Sequence, residues 1–297
     1  MKNKIENITK IGIIGGSGLY QIEGIKYIEE IKIKTPFGDP SDNIIVGAIT
    51  DTVNNTVIKI AFLPRHGKGH RILPSEINYL ANIYALKQIG VEQIISISAC
   101  GSLKEEIHPC DFVIPDQIFD RTRCRKNSFF GNGIVGHIGF ANPFCSNISK
   151  LIYEESVKLG IKTHFGGTYV CIEGPQFSTK IESEVNRKLG FSIVGMTASP
   201  EAKLAREAEI CYAMIGLVTD YDVWKEGEEV SVDKIVDNLN RNIDNVKKII
   251  KNVIPHLGKE RTCECASSLK YAIFTQKEYM DKKTLKKLNI LISKYIK

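Results

Sequence analysis

The sequence predicts an α/β fold: a single-domain, mixed, largely parallel twisted sheet flanked by helices. Three observations point there. Short apolar, β-branched runs recur along the chain, several are separated by segments with helical apolar spacing, and no internal repeat, low-complexity linker or shift in composition divides the 297 residues. With 43% apolar and 25% charged residues the chain can bury a large core, which excludes a disordered protein.

The first run, 10–15, leads into a glycine-rich turn with one hydroxyl, Ser17. Its glycines at 12, 15, 16 and 18 miss the G-x-G-x-x-G spacing of a dinucleotide turn, and the residues from Tyr20 to Gly24 make a poor helix start. A turn cradling one phosphate fits better. Further strands are expected at 43–49, 57–63, 93–98, 111–115, 168–173 and 212–219. Over 75–89 a helix places Ile77, Leu80, Tyr84 and Ile89 on one stripe, opened by Ser75 and stopped by Gly90.

Thr179-Lys180-Ile181-Glu182 has the form of a capping box, and Ser199-Pro200 supplies a cap and first-turn proline for a helix over 201–211. Ser231 starts a long helix whose buried face is Val232, Ile235, Val236, Leu239, Ile243, Val246, Ile250 and Val253, until Pro255. One domain over 1–297 is the simplest reading, with a helical appendage from about Gly258 onward.

The first residues lack an apolar stretch of signal-peptide length, and no run of about 18 apolar residues occurs. The expectation is a cytoplasmic protein with no membrane partner. The net charge of +6 owes much to C-terminal lysines such as Lys282-Lys283 and Lys286-Lys287, which suit a solvated helix face; no nucleic-acid motif accompanies them. Of eight cysteines (100, 110, 124, 145, 171, 211, 263 and 265), most fall where small buried hydrophobes belong. Only Cys263-Glu264-Cys265 forms a pattern. Zinc needs about four ligands and no second pair stands nearby in sequence, so a local disulfide or two plain thiols are expected and no metal.

Unusual polar groups fall just after apolar strands: Ser17, Arg65-His66, Ser98 and Asp220. Ligands of open α/β sheets bind outside the carboxyl ends of strands, so these stretches converge on one crevice, with donors suited to an oxyanion. Taken singly, Ser98 simply ends a strand and Arg65-His66 is a surface or packing pair. If extended, the stretch from Val218 to Trp224 places Asp220 and Asp222 on one face. Either both are solvated at a strand end, or they face a ligand with several N–H groups, for which an adenine edge is suitable.

The ordered segments GIIGGSGL, TPFGDPSD, RHGKGHRILPSEINYLANI, SACGSLKEEIHPCDFVIPDQIFDRT, IEGPQFST, GMTASPEAKLAREAEICYA and TDYDVWKE resemble the trimeric purine nucleoside phosphorylase family, in its methylthioadenosine-cleaving branch. The resemblance covers nearly the whole chain. It implies that Ser17, Arg65, His66, Ser98, Ala99 and Thr197 hold phosphate, that Met196 packs on the ribose, and that Phe177 lies against the base. Asp220, Tyr221 and Asp222 would meet the base, with Asp220 catalytic. His70, Val232, Ile235 and Val236 would line the methylthio pocket, and His137 would reach in from a neighbouring subunit of a homotrimer or hexamer. Serines at 17 and 98 replace the family's more frequent threonine and keep the hydroxyl.

The implied reaction is reversible phosphorolysis of 5'-methylthioadenosine to adenine and 5-methylthioribose 1-phosphate, a step of methionine and purine salvage. Phosphate is a co-substrate, and no cofactor is implied. The rivals are the same chemistry on adenosine, methylthioinosine, inosine or guanosine, a phosphate-free nucleosidase, and a non-catalytic nucleotide-binding module. Asp222 separates the bases, because a carboxylate accepts from a 6-amino group and repels a 6-keto oxygen.

Overall fold

A computed structural model of the chain describes residues 9–16, 22–51, 56–228 and 231–296. In chain order the strands are β1 (Ile11–Gly15), β2 (Lys26–Ile31), β3 (Ile44–Asp51), β4 (Thr56–Pro64), β5 (Gln93–Ser102), β6 (Phe112–Ile114), β7 (Gln117–Asp120), β8 (Thr163–Phe165), β9 (Thr168–Cys171), β10 (Ile193–Gly195) and β11 (Cys211–Asp220). The helices are α1 (Tyr79–Gln88), α2 (Ser146–Lys158), α3 (Lys180–Lys188), α4 (Ala198–Glu207), α5 (Val232–Val253) and α6 (Lys282–Ile292).

β4, β1, β5 and β11 lie side by side and parallel, so their carboxyl ends open on the same rim. β10 joins that rim from the other direction, pairing antiparallel with the end of β5 at Ser102 and Gly101. The sheet is mixed, as expected, with antiparallel β2–β3–β4 on one side and parallel β10–β9–β7 on the other.

Covering helices explain why β1 is apolar throughout: Ile14 packs into a cluster with Tyr84, Leu204 and Leu288, while Ile11 and Ile13 face Ile95, Ile215, Val246 and Ile250 on the other side. The segment after residue 258 contributes to both layers, with Cys265 in the second and Leu269, Leu288 and Leu291 in the first.

Several boundaries differ from the sequence reading. α1 begins after Asn78, whose side chain accepts from the Ala81 N–H, and not at Ser75. Every residue from Tyr79 to Leu86 is buried, so the expected stripe is only part of what α1 packs. Ser199 is extended inside α4, and Cys211 already belongs to β11. β2, β7, β8 and β10 were not foreseen: β2 is largely exposed and charged, and the others have only three or four residues, too few to show a period. The capping box at Thr179 and Glu182 is present, as is the Ser231 cap of α5. Val232 and Val236, expected on the buried face of α5, are 64% and 45% exposed.

Candidate active site

At the shared rim lies a cavity of about 620 Å³ lined by the ends of β1, β4, β5, β10 and β11 and by one face of α5. Gly16 opens its β1 side; Ser17 lies outside the described residues. Of the remaining expected residues, Arg65, His66, His70, Ser98, Ala99, Phe177, Met196, Thr197, Asp220, Asp222 and Ile235 all line this cavity.

Four expected residues do not line it. The Tyr221 hydroxyl is 2.6 Å from His108 Nδ1 and its ring packs edge-on to Trp224, so it faces away. Val232 and Val236 sit on the solvent side of α5, where Ile235, Leu239 and Ile243 take the cavity side at steps of four residues. His137 is exposed, edge-on to Phe274 with centroids 5.1 Å apart.

One end of the cavity collects small donors. Ser98 Oγ and Thr197 Oγ1 are 3.1 Å apart, and Thr197 precedes α4, whose regular turns begin only after the extended Ser199. Arg125 holds this segment still. It is paired with Glu173 at 2.7 Å and donates to the carbonyls of Met196 and Ser199 at 2.6 and 2.8 Å. Gly174 lies at φ +66°, a left-handed conformation that favours glycine, and a Cβ there would also crowd the Met196 side chain.

Arg65 lines the cavity yet is only 2% exposed, because most of its planar fork is taken up by protein partners. Nε and Nη2 donate to the two oxygens of Glu201, Nη2 also to Ser96 Oγ, and Nη1 to the Ile97 carbonyl. Four of its five N–H groups are thereby used, leaving one on Nη1. Burial opposes the guanidinium charge, but Glu201 outweighs burial and holds its pKa above the usual value.

His66 Nδ1 lies 2.8 Å from the Ile72 carbonyl, which can only accept, so Nδ1 carries a hydrogen and the neutral ring presents bare Nε2. Burial, and next the Arg65 charge, pull its pKa down to about 4. His70 stacks on it at 4.3 Å.

The opposite end carries the carboxylates. β11 is offset against β5 between Val218 and Asp220, and the chain then turns, with Asp222 at φ +51°. Asp220 and Asp222 are therefore neighbours through a turn and not through strand alternation, and Asp220 Oδ1 accepts the Asp222 N–H at 2.7 Å. The approach needs Gly101, because a Cβ there would lie 2.9 Å from Asp220 Oδ1.

Burial raises the Asp220 pKa, and Asp222 adds to it, against hydrogen bonds from Thr219 and the Asp222 N–H. Thr219 Oγ1 is 2.7 Å from Asp220 Oδ2 and 3.4 Å from the Cys100 carbonyl. Its one hydrogen can serve a charged Asp220, or turn to Cys100 and leave its oxygen to accept from a protonated one.

Asp222 is 4% exposed, and among the described residues no hydrogen bond is aligned on its buried Oδ2. Burial raises its pKa as well; Ser183 and Ser178 stand close enough to oppose this, yet their hydroxyls are not aligned on it and are themselves unpartnered. The Asp222 carboxyl thus lies against the Ser178 and Ser183 hydroxyls on one side, while the residue lines the cavity on the other.

The sequence reading missed Glu201, Ser178, Arg125 and Gly101. Glu201 had a signal: a carboxylate set among Ala198, Ala202, Leu204 and Ala205. The others depend on distant partners.

A family profile described as the phosphorylase superfamily matches residues 10–255. The chain is 50% identical over 288 residues to an S-methyl-5'-thioadenosine phosphorylase of Geobacter sulfurreducens, covering 96% of this chain and 99% of that one. A namesake from Thermofilum pendens is 47% identical, covering 89% and 98%. Among solved structures, a methylthioadenosine phosphorylase from an Antarctic soil metagenomic library superposes with a TM-score of 0.90 at 44% identity, covering 96% of this chain and 99% of that one. A Schistosoma mansoni methylthioadenosine phosphorylase in complex with adenine gives 0.79 at 34% identity, with 96% and 98% covered.

Proposed function

The chain belongs to the phosphorylase superfamily, and from that premise we propose that it catalyses the reversible phosphorolysis of S-methyl-5'-thioadenosine to adenine and 5-methylthioribose 1-phosphate. The observation that carries this is one cavity lined both by the adjoining carboxyl residues Asp220 and Asp222 and by the Ser98–Thr197 hydroxyl pair. One end accepts N–H groups and the other donates to an anion.

In this reading phosphate sits against Ser98, Ala99 and Thr197 ahead of α4, and Ser17, expected from the sequence as a further donor, belongs to the same set. Arg65, oriented by Glu201, offers its remaining N–H. Neutral His66 accepts a hydrogen from a protonated phosphate oxygen at Nε2. Met196 packs on the ribose, Phe177 on the base, and Ile235 with His70 on the methylthio group.

An unprotonated phosphate oxygen forms the bond to C1' as the C1'–N9 bond breaks, and the bonding pair leaves with the base. The sugar passes through an oxocarbenium-like state, which the nearby anion stabilises. Asp220, protonated beforehand, gives its proton to N7, and the Thr219 hydrogen turns from Cys100 to the new carboxylate.

His137 belongs to this reading as a residue reaching a neighbour's methylthio pocket in a homotrimer, or a pair of trimers. Its exposure, and its not lining its own chain's cavity, support that placement. No helix among the described residues is long and apolar enough to cross a membrane, and a cytoplasmic enzyme using phosphate as co-substrate, with no organic cofactor, fits the reading.

Adenine release from methylthioadenosine, measured with and without phosphate and beside adenosine and inosine, tests the proposal. Phosphate-dependent release fastest with methylthioadenosine is expected. Release without phosphate would indicate a nucleosidase, and binding without release a sensor.

A further inference from the structure

Away from the cavity, at the amino end of β11, the Sγ atoms of Cys145, Cys211, Cys263 and Cys265 all lie within 4.8 Å of one another. The sequence shows only the Cys263–Cys265 pair, and the fold brings the other two from distant elements. Cys145 caps the N-terminus of α2, Cys211 is the first residue of β11, and Cys263 and Cys265 flank Glu264 in the turn after α5. Cys145, Cys211 and Cys265 are buried, Cys263 half-buried, and all four are free thiols.

We propose that these four sulfurs form a structural tetrathiolate site for a thiophilic divalent cation, Zn²⁺, that fastens the chain beyond residue 258 to β11 and α2. Tetrahedral Zn–S bonds of about 2.3 Å place sulfurs about 3.8 Å apart. The cluster, with all six separations under 4.8 Å and Cys211 to Cys263 at 3.2 Å, needs only small side-chain adjustment to reach that shape.

Soft thiolate ligands in fourfold array select zinc, or iron, over the hard cations. Four protein ligands leave no open position, so the site holds structure and does no chemistry. Binding forms four Zn–S bonds and releases the thiol protons to solvent.

The surroundings suit such a site. Cys145 stands at the positive end of α2, where the helix dipole favours a negative ligand. A cluster of four thiolates around Zn²⁺ carries excess negative charge, which nearby cations would offset. Lys259 and Arg261 line a cavity of about 160 Å³ that reaches Cys145, Cys211 and Cys263 from outside, giving a path for the ion. The C-x-C spacing is shorter than the usual two to four intervening residues, but distance between sulfurs decides, and here the distances fit.

Protein purified without metal-affinity resin or chelator, reduced, supplied with Zn²⁺ and dialysed, should retain about one zinc per chain by elemental analysis. Cys263→Ser/Cys265→Ser should retain less than a tenth of that while keeping kcat on methylthioadenosine; Cys124→Ser, an exposed thiol elsewhere, should retain all of it. Substituting Co²⁺ into the unaltered chain should give sulfur-to-cobalt charge-transfer absorption and tetrahedral ligand-field bands, which do not depend on any variant folding. A reduced chain that retains no zinc overturns the proposal, as does zinc undiminished in the double variant. So does an octahedral cobalt spectrum. If the four cysteines stay paired as disulfides after reduction with excess zinc present, the proposal also fails.

Discussion

Arg65 and Glu201 face each other as a buried two-point ion pair, Nε to Oε2 at 2.7 Å and Nη2 to Oε1 at 2.8 Å. The pair sets the guanidinium plane before any ligand arrives, so Arg65 serves frame and ligand together. Arg65→Lys keeps the charge but has one point where the fork has two. It should lower stability by about 1–3 kcal/mol and raise the KM for phosphate roughly tenfold. Denaturant unfolding and kinetics at varied phosphate check the two parts. Lost stability with an unmoved phosphate KM would assign Arg65 to the frame alone.

Asp220→Asn retains a donor for N7 but cannot release a proton. We expect kcat to fall by about 10² to 10⁴ with little change in KM for methylthioadenosine, because the missing interaction belongs to the transition state. A raised KM with kcat preserved would make Asp220 an anchor of the base and not its acid.

Base choice follows from the Asp222 carboxyl at the cavity wall. Asp222→Asn places a donor where only an acceptor stood, and the preference for 6-amino over 6-keto purines should shift by a few kcal/mol, about a hundredfold. The ratio of methylthioadenosine to methylthioinosine turnover measures it. An unchanged ratio would move the determinant elsewhere.

Glu207 gives a pH signature independent of catalysis. Burial pushes its pKa up to about 7, although the Phe129 N–H and Ser128 hydroxyl hydrogen-bond to its oxygens. A carboxyl whose pKa is raised on folding binds its proton more tightly in the native state. That contribution is complete below the unfolded carboxyl pKa and is lost as pH rises through about 7. The loss amounts to ~3 kcal/mol. Unfolding midpoints from pH 5 to 8 should therefore decline more steeply in the parent than in Glu207→Gln; parallel curves would show that Glu207 is ionised throughout.

If His137 completes a neighbour's site, two inactive variants, His137→Ala and Asp220→Asn, should regain part of the activity when dissociated and reassembled together. Mixed rings then contain some sites with both residues intact. No recovery, or full activity in a 33.2 kDa monomer, would remove His137 from the site.

The rim of the cavity was legible because parallel strands buried on both faces appear as unbroken apolar runs, and the polar residues that end them, Arg65, Ser98 and Asp220, stand out. What partners those residues take was not legible. Glu201 is 136 residues from Arg65, and no local pattern couples them. The turn at Asp222 was hidden because Asp-x-Asp suits an extended strand equally well until the left-handed backbone appears. Helical spacing gave α5 its axis but could not tell that Val232 and Val236 lie past the edge of the core. Cys145 and Cys211 were hidden from the Cys263–Cys265 pair for the reason Glu201 was hidden from Arg65.

The layer that contains Ile14 and Tyr84 is finished by Leu288 and Leu291, and the Tyr84 hydroxyl donates to the Lys287 carbonyl across 203 residues. During vectorial synthesis the strands that carry the catalytic rim leave the ribosome well before α6 does. Until α6 docks, α1 presents apolar surface that its finished neighbours would cover, and a non-local contact of this span closes late. A nascent chain stalled short of α6 should therefore recruit chaperones, and proteases should cut it more readily than the full-length product.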